Sequence, residues 1–422
     1  MHTFDKDCIN EWYFIVKFLG EKLPPYLKGN QLIDSNEELD VLRGEFEQKY
    51  GYADAEEFYQ KPSENIGWEQ IQQIFEEPPP TNGLIEHIGE FVNYVIRRFF
   101  KVKSQSEVLQ DFYDRFALNN LPQFKGQTLI SSVLMMDFYN VYKTHVKKSY
   151  FKQIEEYNDM AVQKPILPFL AVDPRRINDS DPKQNLFELF IKAFDRKQAG
   201  FFFGIKLYPS LGFSPSDYRL RPIYEICQEF QIPIVTHCGG ELVSTFDERV
   251  EIYEDFLPNI TLAPGKNRKE KAFYLNDPLR WKVVLDQYPH LKINFAHFGS
   301  EECFKSKDLN GEGIEDKLQY DQRPQTIIEL MKASKGVYTD FSFALTSPDI
   351  YSNFWEILKS NPIVQERLMF GTDFWVVLFN KGEKFLEHQK HFVDLFKYDD
   401  LLFNKIFKDN ADRYLFDVIK DQ

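Results

Sequence analysis

Cysteine is scarce in this sequence, and long apolar runs are absent. The four cysteines, Cys8, Cys227, Cys238 and Cys303, lie far apart and form no CxxC pair, which argues against a disulfide framework or a thiolate zinc site. No uninterrupted apolar run reaches the roughly 18 residues of a membrane-spanning helix. The opening residues, MHTFDKDCIN, lack the basic head and apolar middle of a signal peptide. We therefore expect a protein of the reducing cytoplasm with no membrane partner.

Excess positive charge and nucleotide-binding motifs are also lacking. Lysine and arginine number 51 against 65 aspartates and glutamates, so the formal net charge is −14. A nucleic-acid binder needs a basic footprint, so we expect no nucleic-acid partner. Neither GxGxxG nor GxxxxGK[ST] follows any strand-like segment, which argues against a nucleotide site. What the sequence does have is apolar material for a large core, because 43% of its residues are hydrophobic.

Short apolar runs recur between longer amphipathic segments from about residue 128 onward. Such alternation is typical of buried parallel strands covered by helices, and it predicts an α/β fold. One helix is predicted over Asp217 to Phe230. The seven predicted strands are Thr128 to Met136, Ile166 to Val172, Phe203 to Tyr208, Ile232 to Thr236, Leu291 to Ala296, Gly336 to Phe341 and Arg367 to Gly371.

Each predicted strand ends in a polar or ionisable residue, as in THCGG, AHFGS and GTDF, and in most of them glycine, proline or serine lies close by. Barrels and doubly wound sheets both place their chemistry just beyond the carboxyl ends of strands, and the missing nucleotide motifs favour the barrel. Residues 10–127 differ, with helical periodicity that is clearest over Ile85 to Phe100. Residues 301–325 are polar and contain glycine, so we expect a surface loop there.

Three histidines and one aspartate stand at candidate strand ends: His2, His237, His297 and Asp373. A single strand-end histidine is usually a hydrogen-bonded structural residue, and Asp373 in GTDF also suits a loop-capping carboxylate. The occurrence of such residues at four strand ends favours a metal site instead, because imidazoles and a carboxylate converging on one rim are suitable ligands for a divalent ion such as zinc. Three protein ligands would leave a coordination position for water.

The segments that carry these residues resemble the amidohydrolase superfamily, in the branch of metal-dependent hydrolases related to aminocarboxymuconate-semialdehyde decarboxylase. The resemblance covers about residues 128–418 and the opening residues. It implies a (β/α)8 barrel with a helical insertion after strand 1. Residues 1–9 would then be a remnant of strand 1, residues 10–127 an insertion or cap, and residues 128–422 the barrel. The segments are GIKLYPSLGFSP, IPIVTHCGG, DPLRWKVVLDQYPHLKINFAHFGS, VYTDFSFA, RLMFGTDFW and IFKDNADRYLF.

The same resemblance implies the roles of the strand-end residues. His2, His237 and Asp373 match the metal ligands, and His297 and Asp373 match the residues that move protons. MHTFDKD corresponds to the end of the family's HxHxF segment, so most of strand 1 and its first histidine are missing. We expect the natural product to be longer at its amino terminus, because a barrel without strand 1 would expose two strand edges.

Three further residues are candidates for binding substrate: Lys206, Tyr208 and Arg176. Lys206 ends the predicted fourth strand, where it could make an ion pair, contact an anionic substrate or, once carboxylated, bridge two metals. We expect one metal. Arg176 and its neighbour Arg175 could bind a carboxylate, although salt bridges explain them equally well. Cys238 follows His237 directly, and we expect it to pack in the core.

These expectations combine into one predicted activity. A bound divalent ion, zinc first and manganese as the alternative, would activate water to hydrolyse an amide, ester or lactone in a small organic substrate. One alternative is non-oxidative decarboxylation of an aromatic or muconate-type acid. The other is a non-catalytic barrel that serves as a binding or scaffold subunit. A homodimer is left open, because nothing in the sequence tests the oligomeric state.

Overall fold

The computed structural model describes most of the barrel region and little of what precedes it. The described residues are 2–3, 104–115, 129–141, 146, 148–177, 179–239, 243–245, 247, 249–254, 261–265, 268–304, 314–342, 350–374, 390, 392–396 and 398–419. The predicted helix over Ile85 to Phe100 lies outside them.

Ten strands occur in the described residues, and eight of them form one parallel sheet. In the sheet the order is β1-β2-β3-β4-β5-β8-β9-β10, while β6 and β7 form a separate antiparallel pair. The strands are β1 (His2–Thr3), β2 (Ser131–Met135), β3 (Ile166–Val172), β4 (Gly204–Leu207), β5 (Ile234–Thr236), β6 (Glu251–Ile252), β7 (Thr261–Leu262), β8 (Ile293–Phe295), β9 (Val337–Asp340) and β10 (Leu368–Met369).

Helices follow the strands and cover the sheet. They are α1 (Gln105–Arg115), α2 (Tyr150–Gln163), α3 (Leu186–Ala193), α4 (Arg221–Glu229), α5 (Arg268–Leu275), α6 (Trp281–Gln287), α7 (Ile314–Ala333), α8 (Tyr351–Ser360), α9 (Pro362–Arg367), α10 (Asp400–Asn404) and α11 (Asn410–Phe416). A π-helical turn, Lys405–Asp409, joins α10 to α11.

The architecture is that of a (β/α)8 barrel, as predicted. Strand order follows chain order, every pairing in the main sheet is parallel, and all seven apolar runs contain a strand. β1 has only two residues, and His2 pairs with Leu134 of β2. Because interior side chains meet one face of the sheet and helices cover the other, strands such as β3 are buried almost throughout.

The barrel interior is packed by a small apolar cluster that contains Leu134, Phe169, Val235 and Ala296. Helix α11 closes the end of the barrel where the strands begin. The Tyr414 hydroxyl donates to the carbonyl of Ile234, the first residue of β5, over 2.7 Å. This arrangement leaves the opposite end, at the carboxyl ends of the strands, for chemistry.

The prediction of a surface loop over residues 301–325 is wrong for its second half. Helix α7 begins at Ile314, and residues 305–313 lie outside the described part of the chain. Ile327, Ile328 and Met331 on the same helix are buried in the core. Tertiary packing of that apolar segment stabilises a helix over residues whose local polarity, taken alone, predicts a loop.

Among the described residues, no helix is both long enough and apolar enough to cross a membrane. Helix α1, the described part of the predicted insertion, packs against the barrel core. Val108, Leu109 and Phe112 belong to the main core cluster, and the ring centroid of Phe112 lies 5.2 Å from that of Phe374.

Candidate active site

Five of the predicted site residues lie at the carboxyl ends of barrel strands. Lys206 is in β4 and Tyr208 follows it; His237 follows β5, His297 follows β8 and Asp373 follows β10. All five side chains are buried or nearly so. Because parallel strands of a barrel end at one rim, residues from distant parts of the chain come together there.

The two histidines and the tyrosine form a compact aromatic group. The ring centroids of His237 and His297 lie 5.0 Å apart in an edge-to-face arrangement, with an interplanar angle of 72°. Tyr208 stacks on His237 at 4.0 Å and 12°. The stacked ring restricts the plane of the His237 imidazole, so the orientation of that ring is set by packing.

His297 lies in a backbone conformation that residues other than glycine rarely adopt. Its φ is 67°, and φ of the next residue, Phe298, is 46°. Such left-handed conformations cost free energy and persist where surrounding contacts hold them. Here the Asp340 carboxylate accepts a hydrogen bond from the His297 backbone N–H over 3.2 Å.

A buried hydrogen-bond network surrounds His297, and the sequence interpretation assigned no site role to most of it. The Asp340 carboxylate also accepts from the Ser342 N–H over 3.1 Å and from the Asn294 amide over 2.6 Å. The Ser342 hydroxyl lies 2.8 Å from His297 Nδ1. The signal available in the sequence is the motif TDFS, in which a serine follows a strand-end aspartate by two positions.

Asp373 and His297 line the same cavity, whose volume is about 120 Å³. Burial raises the pKa of the Asp373 carboxyl, and the nearby His297 and Lys206 oppose that shift. Burial likewise lowers the pKa of His297, so the imidazole favours its neutral form. The deeper wall of the cavity is apolar and includes Leu134, Phe169, Val235 and Met369.

Lys206 is an unusual buried cation. Its side chain is 1% exposed, and its Nζ has no hydrogen-bond partner among the described residues. Burial lowers the pKa of Lys206 to about 8, although Asp373 and Asp340 partly offset the shift. The ammonium nitrogen lies 5.2 Å from the ring centroid of Tyr208, and both residues line a second, smaller cavity.

Arg176 is held by the protein itself. The buried guanidinium forms a two-point ion pair with Asp137 and donates to the Gln184 side-chain oxygen over 2.7 Å. It also lies over the rings of Tyr139 and Tyr150, at 4.2 and 4.8 Å. Within the described residues Arg176 lines neither cavity. Of the two interpretations of this residue, the structure shows the salt bridge within the protein.

Arg175 and Cys238 also have structural contacts. Arg175 pairs with Asp173 over 2.6 Å. Cys238 is 1% exposed, and burial raises the pKa of its thiol to about 12, which keeps sulfur protonated at neutral pH.

The predicted metal ligands are described in part. His237 and Asp373 are at the rim, whereas only the backbone of His2 is described, at the start of β1. Within the described side chains, no three histidine, cysteine or carboxylate groups are close enough to form a metal site. The donor types nevertheless suit a divalent ion, because imidazole nitrogen and carboxylate oxygen are both ligands of zinc.

A parallel barrel with paired imidazoles and a buried carboxylate at its carboxyl rim has the donor types that metal-dependent barrel enzymes use. The sequence pattern of one such family, described as amidohydrolase, matches residues 144–416. The chain belongs to the amidohydrolase family, which confirms the resemblance found in the sequence.

Solved structures to which the chain is similar share little sequence with it. An amidohydrolase from Burkholderia multivorans with bound zinc is 11% identical, covers 73% of this chain and 87% of its own, and has a TM-score of 0.43. A 4-oxalomesaconate hydratase from Rhodopseudomonas palustris is 13% identical, with coverages of 82% and 89% and a TM-score of 0.41. A probable 2-pyrone-4,6-dicarboxylic acid hydrolase from Acinetobacter baumannii, with citric acid bound, is 12% identical, with coverages of 73% and 88% and a TM-score of 0.41. No curated protein sequence matches the chain.

Proposed function

We propose that this protein is a hydrolase that uses one divalent cation to cleave an amide, ester or lactone in a small organic substrate. Family membership supports an enzyme of this general kind. The observation that carries the proposal is the approach of His237 to His297, with 5.0 Å between ring centroids, at the rim that also holds Asp373.

His237 and Asp373, with His2, are the residues that would hold the cation. Zinc suits two imidazoles and a carboxylate, and manganese is the alternative. When bound, the cation supplies the Lewis acidity that makes water a usable nucleophile at neutral pH. A cation would also compensate the buried charge of Asp373, because burial raises the pKa of that carboxyl.

His297 is the proton-transfer residue in this proposal. Because burial lowers its pKa, the imidazole is neutral at physiological pH and can accept a proton from attacking water. The water oxygen then bonds to the acyl carbon, the bond to the leaving nitrogen or oxygen breaks, and a proton passes to that leaving group. Asp373 lines the same cavity and can share the accepted proton.

Lys206 and Tyr208 are the proposed substrate-binding residues. The Lys206 ammonium is buried beside the rim without a hydrogen-bond partner in the described part, so a negatively charged substrate group would compensate its charge. The Tyr208 ring contacts both the Lys206 ammonium and the His237 ring, so the proposed anion-binding residues adjoin a proposed metal ligand. Arg176 has no substrate-binding role in this proposal, because its guanidinium is paired with Asp137.

A substrate panel tests the proposal. Zinc-loaded protein is assayed with esters, lactones, amides and aromatic carboxylic acids, following both hydrolysis products and released carbon dioxide. We expect hydrolysis of at least one class, and a loss of about 100-fold or more in kcat for H297Q with metal content unchanged. The matched control is H290Q, whose histidine lies in the turn after α6.

Two outcomes would contradict hydrolysis. Release of carbon dioxide without any hydrolysis would identify a decarboxylase, because the same set of residues is compatible with that reaction. Protein that retains less than about a few tenths of an equivalent of metal and turns over nothing would instead support the non-catalytic scaffold.

A further inference from the structure

Ser342 contacts His297, although the proposed reaction gives Ser342 no role. The hydroxyl lies 2.8 Å from His297 Nδ1, and both residues are buried, at 6% and 5% exposure. Ser342 comes two residues after β9, while His297 comes two residues after β8, so neighbouring strands position the pair.

One carboxylate holds both partners of this contact in place. A single oxygen of Asp340, Oδ1, accepts hydrogen bonds from the backbone N–H of His297 and from that of Ser342. The other oxygen, Oδ2, accepts from the Asn294 side chain over 2.6 Å. The distance between the serine hydroxyl and Nδ1 is therefore determined by fixed backbone positions, which is how supporting residues orient a functional side chain.

We propose that Ser342 is a positioning residue that holds the His297 imidazole through Nδ1 in one orientation and one tautomer. Proton transfer at His297 then passes through Nε2. Without a partner at Nδ1, the ring could rotate by a half turn or exchange tautomers, and either change would move the reactive nitrogen.

A hydroxyl suits this role because its oxygen can accept from Nδ1–H, which leaves Nε2 of the neutral imidazole unprotonated and able to take up a proton. The same hydrogen bond persists when the imidazole becomes a cation, because Nδ1 keeps its hydrogen. A carboxylate at this position would also accept, but it would add negative charge to a buried site that already contains Asp340 and Asp373.

The resting protein provides the first test, which does not depend on the proposed function. Protein labelled with ¹⁵N-histidine, with no metal added, is compared by NMR with S342A and S342T, and the His297 ring signals are assigned from their loss in H297Q. We expect wild type and S342T to show separate Nδ1 and Nε2 shifts of one neutral tautomer. In S342A the two shifts should converge, as tautomers or ring orientations exchange.

The control is S360A, which removes an exposed hydroxyl at the end of α8. Circular dichroism and thermal melting establish that each variant is folded. Ring shifts that are the same in S342A and wild type, or that are already averaged in wild type, would overturn the proposal.

The second test is kinetic and rests on the proposed function, because it needs a hydrolysed substrate. We expect S342A to lower kcat by about 10- to 100-fold with KM within about twofold, and S342T to recover most of the loss. The double variant S342A/H297Q should be no slower than H297Q, because Ser342 acts through His297.

Kinetic losses that multiply in the double variant would overturn positioning and indicate a separate structural role for Ser342. If no substrate is ever hydrolysed, the NMR result still decides whether Ser342 holds the ring. Failure of the proposed function and failure of this inference are therefore distinguishable.

Discussion

Two buried lysines with similarly lowered pKa values have different environments. Burial lowers the pKa of both Lys206 and Lys292 to about 8. The Lys292 ammonium donates to the carbonyls of Leu415 and Asp417, each over 3.1 Å, and so attaches the end of the chain to the barrel. Lys206 has no hydrogen-bond partner in the described region, which is a common sign that a residue serves function at the expense of stability.

We expect K206M to stabilise the protein more than K292M does. Methionine has similar length and carries no charge, so K206M removes a buried charge whose lowered pKa corresponds to about 3 kcal/mol at neutral pH. K292M removes a charge with a similarly lowered pKa, but it also leaves two carbonyls without their donor, which should offset about 1–3 kcal/mol of the gain. Urea unfolding of the three proteins measures both changes. A destabilised K206M would show that Lys206 has a stabilising partner.

The effect of K206M should also depend on pH. The folded pKa of Lys206, about 8, is below the ordinary value of 10.5. Between these values the folded protein binds fewer protons than the unfolded chain, so wild-type stability rises with pH relative to K206M. The cost of the buried charge is fully present below pH 8 and disappears by about pH 10.5. Unfolding free energies at about pH 7 and about pH 10 check this, and a constant difference would contradict it.

At the scale of elements, helix α11 connects the end of the chain to the amino ends of the strands. Asn410, the first residue of α11, is fully buried, and its side-chain amide donates to the carbonyls of Leu368 and Gln365 over 2.6 and 2.9 Å. Leu368 begins β10, the strand that precedes Asp373. Helix α11 therefore supports β10, the strand that leads to Asp373, from the amino-terminal end of the barrel.

We expect N410A to destabilise the protein by about 2–4 kcal/mol, because one buried carbonyl and one partly buried carbonyl lose their donor. The exposed residue Asp412 in the same helix provides the control, since D412A should change the unfolding free energy by less than about 0.5 kcal/mol. Urea unfolding measures both. Equal effects of the two substitutions would mean that the buried amide of Asn410 contributes nothing specific.

At the scale of the whole molecule, bound metal should couple the strand ends to overall stability. If His237 and Asp373 hold a cation that the unfolded chain binds poorly, zinc at 100 times its Kd should stabilise the fold by about 2.7 kcal/mol. Removing metal with a chelator should lower Tm, and adding zinc should restore it. The H237A variant should lose this response, whereas H290A should keep it. An identical Tm with and without zinc would contradict metal binding at this site.

Much of the barrel was predictable from the sequence because its signals are local. Runs such as ILPFLAV are apolar on both faces, as buried parallel strands must be, and the residues after them stand at the rim. The positions of His237, His297 and Asp373 at strand ends follow directly from those runs. The prediction of a loop over residues 301–325 was wrong in its second half, because packing of the buried apolar half of α7 extends the helix into a polar segment.

The sequence by itself determined seven of the strands and the residue types at the carboxyl rim, since each depends on neighbours along the chain. Only the tertiary structure decided which side chains meet there. It paired Arg176 with Asp137, left Lys206 buried beside Tyr208, and brought Ser342 to Nδ1 of His297. Such pairings depend on side-chain packing and on contacts between neighbouring strands that are far apart in the sequence, and local pattern carries no record of those distances.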